Sequence, residues 1–226
     1  MNPYLVLAVA AAEWDRVAAR LDGAPRERLA ALLADVRREG ADETLRRAAA
    51  EDAAGLLRER LPEEFGGAGP AGEQGRLVLS VPDAGSDPHP VHHGYVAEDL
   101  AVLLVDGHRM VGPVLGPVRD RLLAAPAWDA AAVRRRGGRP DAPGLIRLPG
   151  VGGRARLPRF QFAGDARPLP VVVEVNTVLE ADRDPWGAAD WWLSGNAWLG
   201  DRPASLLGTG GEARLADTAR LLMEED

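Results

Sequence analysis

Glycine and proline constrain this chain most: 26 glycines and 18 prolines punctuate its 226 residues with turns, helix starts and helix stops. Proline lacks the N–H that a helix interior or a central strand needs, and glycine readily takes the left-handed conformation that ends a helix. Between these breaks the apolar residues keep a helical period. Leu29, Leu32, Leu33 and Val36 fall at i, i+3, i+4 and i+7, one face of a helix. Gly40 then offers a stop and Asp42 an N-cap, and the next stripe is Leu45, Ala49, Ala53, Leu56 and Leu57, ending near Pro62. With residues 5–21 in front, the spacing predicts a three-helix antiparallel bundle over residues 1–65. Residues 63–74, with Gly66, Gly67, Gly69, Pro70 and Gly72, read as a linker or exposed loop. Residues 76–81 alternate like a strand, and Asp106-Gly107 between two apolar runs, 100–105 and 109–114, carries the signature of a hairpin. Residues 66–116 are thus expected to be linker and a small β element.

Farther along, two short helices are expected at 118–124 and 129–136, separated by Pro126 and stopped by Gly137-Gly138. Residues 145–148 and 154–157 bracket Pro149-Gly150-Val151-Gly152-Gly153, a second hairpin. A basic second helix followed by a hairpin is compatible with a winged helix-turn-helix over residues 117–157, with Arg134, Arg135, Arg136 and Arg139 meeting phosphates. A solvated arginine face is the simpler alternative, and Pro140 and Pro143 break the stretch where a recognition helix would run. From Pro170 the pattern is helical, with Val171, Val172, Val175, Val178 and Leu179 on one side. Asp184 and Pro185 open a helix to Leu193, Arg202-Pro203 open a one-turn helix stopped by Gly208, and residues 212–223 form a last helix with Leu215, Ala219 and Leu222 inward. The expected fold class is mainly α with small β hairpins, an α+β arrangement.

Several function classes fall away on composition. There is no cysteine, hence no disulfide, thiol nucleophile or cysteine-ligated zinc, and all 27 basic residues are arginine, which excludes Schiff-base and P-loop lysines. No run of about 18 apolar residues is present to span a membrane. The apolar start lacks a basic n-region and reads as a first helix, so the expected location is the cytoplasm. The net charge of −7 argues against a surface that binds nucleic acid throughout, but the charge is uneven. Residues 126–167 hold nine arginines against three acids, and residues 168–226 hold four against eleven. His89, His92 and His93, with Asp83 and Asp87 nearby, could hold zinc, but they sit in a proline-rich loop without helical ligand spacing. A solvated loop is the preferred reading there, and a metal enzyme is the weakest of three hypotheses. Ser80, Ser86, Ser194 and Ser205 lack an evident base, and the glycines of Gly208-Thr209-Gly210-Gly211 lack Rossmann spacing. No enzyme activity and no cofactor are expected.

The anomaly is aromatic. Trp186, Trp191, Trp192 and Trp198 fall within thirteen residues, and a small domain cannot readily bury all four. Around them run Arg156-Leu157-Pro158-Arg159-Phe160-Gln161-Phe162, then Asp184-Pro185-Trp186, then Trp191-Trp192-Leu193, then Asn196-Ala197-Trp198-Leu199-Gly200-Asp201-Arg202-Pro203 and a leucine-rich turn. In order and spacing, residues 158–226 resemble the toxin-binding domain of the Xre/MbcA/ParS-like antitoxin family. The chain departs from that pattern at Gly195 and Asp201, where many members have Pro and Gly. The resemblance implies a helical module that caps a protein toxin of the NAD-degrading RES type. Its expected binding residues are Trp191, Trp192, Trp198, Leu199, Arg202, Glu224, Glu225 and Asp226, with an Arg202–Asp190 ion pair bracing the turn. It also implies a preceding helix-turn-helix that binds promoter DNA, so a DNA-binding regulator retaining this fold is the second hypothesis; homo-oligomerisation stays open.

Overall fold

The computed structural model describes residues 2–38, 40–65 and 90–225. The protein is mainly helical with one small three-stranded antiparallel sheet, and its contacts divide it into two compact units. The strand expected over 76–81, the glycine-rich run from Gly66, and Asp83, Asp87, His89 and Asp226 lie outside the described residues.

The first unit takes residues 1–117 together with Val151–Gly153. Its first helix, α1 (Pro3–Ala12), is apolar on every side, and such a helix is stable only when surrounded. Leu5, Val6, Leu7, Ala8, Val9 and Ala10 are accordingly all buried. Pro3 occupies the first turn and Asn2 caps it, its Oδ1 accepting from Tyr4 N (3.0 Å). After a short α2 (Trp14–Ala18) come α3 (Gly23–Val36), which buries Leu29 and Leu33, and α4 (Glu43–Arg60), capped by Asp42 as the sequence predicts. α3 and α4 pack together, and α1 packs on α4. Ala49, Ala50, Ala53, Ala54, Leu56 and Leu57 face inward, but Leu45 is 66 % exposed: it lies in the first turn of α4, outside the packed stretch. Glu63 and Glu64 belong to a one-turn helix, α5 (Pro62–Phe65), rather than to a loop.

The hairpin expected at Asp106-Gly107 is absent. Residues 97–106 are α6 (Ala97–Ala101) running into one π-helical stretch, Val102–Asp106. Asp99 Oδ2 accepts from Val96 N (3.1 Å), which starts a helix, and α6 packs on α1, where an apolar run can be buried on several sides. Gly107 adopts φ +76° as the left-handed helix stop, the alternative use of a glycine in that position. Arg37 secures the end of this segment, pairing with Glu98 (2.6 Å) and Asp106 (2.9 Å).

The boundary to the second unit falls within α7 (Gly112–Ala124). The second unit continues as β1 (Ala127–Asp129), α8 (Ala130–Arg135), a helix-free run over 136–147, β2 (Leu148–Pro149) and β3 (Ala155–Pro158). β3 lies between the other two strands, antiparallel to both, with Trp128 opposite Leu157 and Leu148 opposite Arg156. Asp129 caps α8 through Ala132 N (2.5 Å). Val133, Leu145, Leu157, Phe162 and Ala166 form a small core beside this sheet. The larger core belongs to α9 (Pro170–Val178), α10 (Pro185–Leu193), the 3-10 turn Pro203–Leu206 and α11 (Ala213–Glu225), with Leu122, Ile146 and Leu148 filling in. Valine-rich α9 is a helix despite its β-branched residues. Pro170 presets its first turn, and Val172 and Val175, with Leu179 just beyond the helix end, turn one stripe into the core. Asp184 caps α10 through Gly187 N (2.8 Å).

Candidate partner-binding surface of the C-terminal unit

The aromatic cluster divides into a core half and a surface half. Trp192 is fully buried, so it cannot meet a partner directly, and its expected place in the binding set is corrected to a core role. The reason is polar as well as apolar. Its Nε1–H donates to Asn176 Oδ1 (2.7 Å), and Asn176 Nδ2 donates to Gly144 O (2.7 Å) and Gln161 Oε1 (3.2 Å). Gln161 Oε1 also accepts from Ile146 N (2.7 Å), while its Nε2 donates to Ile146 O (3.0 Å) and Pro158 O (3.2 Å). Gln161 and Asn176 are themselves buried, and a buried amide is tolerable only when so satisfied. This network joins α9 and α10 to the 3-10 turn Arg159–Gln161 and to the 144–146 run, so Gln161 and Trp192 hold the unit together.

Trp198 is the surface half. It is 52 % exposed and sits on a turn fixed from below. Asn196 Oδ1 accepts from Trp198 N (3.0 Å) and Leu199 N (3.1 Å), and Asp201 Oδ1 accepts from Arg202 N (2.6 Å). Arg214 of α11 donates to Trp198 O (2.8 Å), tying the turn to the last helix. Leu199, next to it, faces the core at 7 % exposure, which corrects its expected contact with a partner to one of support. Trp191 is half-buried, edge-on to Trp192 with ring centres 5.1 Å apart, and its buried Nε1–H meets no acceptor among the described residues. Arg202 is exposed, but the expected ion pair with Asp190 is absent. Asp190 is held by Arg121 of α7 and by Ser194 Oγ (2.9 Å), because Leu122, next to Arg121, is packed into the same core as Ala189 and Trp192, a placement no local pattern reveals. Leu221 and Met223 of α11 add exposed apolar surface, and Glu224 is exposed; Glu225 is described only as the end of that helix.

Arg134, Arg135 and Arg139 are exposed around the end of α8. Arg136 is exposed as well, but its guanidinium lies 4.6 Å from the Trp128 ring centre, and its Nη1 donates to Ala132 O (3.0 Å). Arg159 stacks on the same ring at 5.3 Å, a partner the sequence did not reveal because only the β1–β3 pairing brings residue 128 beside residue 159. The run from 136 to 147 is shaped by Arg147, which donates to Pro140 O (2.8 Å), Leu145 O (3.2 Å) and Ala142 O.

In the first unit, His92 and His93 touch edge-on with ring centres 4.2 Å apart, beside the isolated bridge from His92 to Tyr95. Burial, reinforced by His93, pushes the His92 imidazole below its ordinary pKa, and Glu13 opposes the shift. Among the described residues no three candidate metal ligands gather. No helix of the described residues is long and apolar enough to cross a membrane. Compared with known proteins, the chain matches no family model, no curated protein and no solved structure.

Proposed function

We propose that the C-terminal unit is a protein-binding module of the Xre/MbcA/ParS-like kind and that the chain acts as an antitoxin, capturing a partner toxin of the NAD-degrading RES type. The observation that carries this reading is Trp198. A tryptophan exposed by half, on a turn that Asn196, Asp201 and Arg214 hold rigid, is costly to leave in water and well suited to anchor a partner. Leu221 and Met223, exposed on α11, and the half-buried Trp191 add apolar surface to the same unit. Glu224, Glu225 and Asp226 give the chain end a negative field. A toxin that binds a dinucleotide needs cationic groups for its phosphates, so this field would steer the encounter.

The regulator reading draws on the element order of residues 117–158: helix, strand, helix, loop and hairpin, the order of a winged helix with its recognition helix missing. The loop braced by Arg147 stands where that helix would run, so direct readout of bases lacks its usual element. The antitoxin reading is therefore preferred. The deciding experiment is co-expression with a RES-domain toxin, scoring growth and co-purification for the unchanged chain and for Trp198→Ala. Rescue and a stable complex by the former, with weaker capture by the latter, is the expected result. Failure of the unchanged chain to capture or neutralise any RES toxin encoded beside it removes the reading.

A further inference from the structure

In the C-terminal unit the acids are largely engaged and a group of arginines is not. Asp165, Glu174, Glu180, Asp182, Asp190 and Asp217 each pair with an arginine. Asp129 and Asp184 are spent on helix caps, and Asp201 and Glu212 accept backbone N–H groups. Around Trp128 the balance is reversed. Among the described residues the guanidiniums of Arg136 and Arg159 form no ion pair. Arg136 uses one donor on Ala132 O, and both lie over one indole, at 4.6 and 5.3 Å from its centre. Arg134, Arg135 and Arg139 stand exposed nearby in sequence.

Two like charges held against one ring repel each other, and each exposed guanidinium is planar and carries paired donors in a fork. A carboxylate, with two oxygens and one charge, is satisfied by a single fork. A terminal phosphate brings three acceptor oxygens and a charge of about −1.5 to −2, which suits two. The diester of a nucleic-acid backbone carries one charge per phosphate. Trp128, already in contact with Phe162 at 5.4 Å as well as both arginines, is no free platform for a base. We propose that Trp128, Arg136 and Arg159 form a receptor for a terminal phosphate group. A small phosphate monoester and a phosphorylated side chain of another protein share this chemistry. The inference is independent of the toxin reading.

The test follows the Trp128 indole N–H and the Arg159 Nε–H by NMR in the full-length protein. Inorganic phosphate, O-phosphoserine, a phosphoserine peptide, acetate and duplex DNA are titrated at matched ionic strength. Phosphate and O-phosphoserine should shift both signals saturably and acetate should not. Affinity for O-phosphoserine should fall between pH 8 and pH 5 as its phosphate loses the second charge, at about pH 6. Arg159→Gln should weaken binding about tenfold or more, and Arg159→Lys, which keeps the charge and loses the fork, should not restore it. A phosphopeptide at least about tenfold tighter than O-phosphoserine identifies a protein source, and equal affinities a small ligand; either supports the receptor. The proposal is overturned if acetate acts like phosphate, if binding ignores pH, if Arg159→Gln binds as the unchanged chain does, or if DNA alone perturbs these signals. The ligand and pH comparisons use the unchanged protein, so they decide even if a variant is unstable.

Discussion

Two tryptophans six residues apart illustrate how differently neighbouring side chains are used. Trp192 and Asn176 share a buried hydrogen bond, so removing either member strands the other. Asn176→Leu would leave the Trp192 indole N–H and Gly144 O without partners and should cost about 2–4 kcal/mol, a loss a thermal melt reads directly. Trp198→Ala should leave the melting point nearly unchanged, since the Asn196 and Arg214 bonds that shape its turn involve the backbone of residue 198. The same change should weaken toxin capture by roughly tenfold to a hundredfold, about 1.4–2.8 kcal/mol, measured by calorimetry. A strong fall in melting temperature would instead place Trp198 among the structural residues. His92 supplies a pH dependence. Its folded pKa lies below the ordinary value of about 6.5, so the unfolded chain takes up the proton first as pH falls. Stability should therefore decline as pH drops through about 6.5 and level off once the folded imidazole also protonates. His92→Gln should show a smaller loss of melting temperature between pH 7.5 and 5.5 than the unchanged chain, and equal losses would refute this source.

Among the elements, the most informative is the run 136–147 that follows α8. Pro140 and Pro143 forbid a helix there, and Arg147 gathers three carbonyls of the resulting loop. Without a recognition helix the segment should give no sequence-specific footprint on its own promoter at physiological salt. A protected site at submicromolar protein would restore the regulator reading. The α8 end is also tightly closed, because a Cβ on Gly138 would collide with Ala166 O, a backbone atom with no rotamer to change. The segment 97–106 teaches the reverse lesson. Leu100 to Val105 and Asp106-Gly107 satisfy the local requirements of a hairpin and of a capped helix equally well, and burial against α1 selects the helix.

For the whole molecule, the two units predict where the chain can be cut. Residues from Pro126 onward hold the small sheet and the three long C-terminal helices, but Leu122 of α7, fully packed in the larger core, lies before that point. A fragment of residues 112–226 should melt cooperatively. One of residues 126–226 should melt several degrees lower, since losing a buried leucine costs about 2–5 kcal/mol. Equal melting of the two fragments would show that α7 contributes nothing to that core.

Taken by itself, the sequence determined whatever depends on residues close to one another along the chain. The caps at Asp42 and Asp184, the proline starts of α9 and α10, the 148–158 hairpin and the Asn196–Asp201 turn were legible because their hydrogen bonds are local. It also carried the mainly helical class through its periodicity. What only the tertiary structure decided is which surface meets which. The Gln161–Asn176–Trp192 network spans residues 15 and 16 apart, the Arg121–Asp190 pair spans 69, and the stacking of Arg159 on Trp128 needs a strand pairing. No local preference encodes such distances. Burial does, because a side chain's cost in water is set by the faces available to cover it, and those faces exist only once the chain has folded.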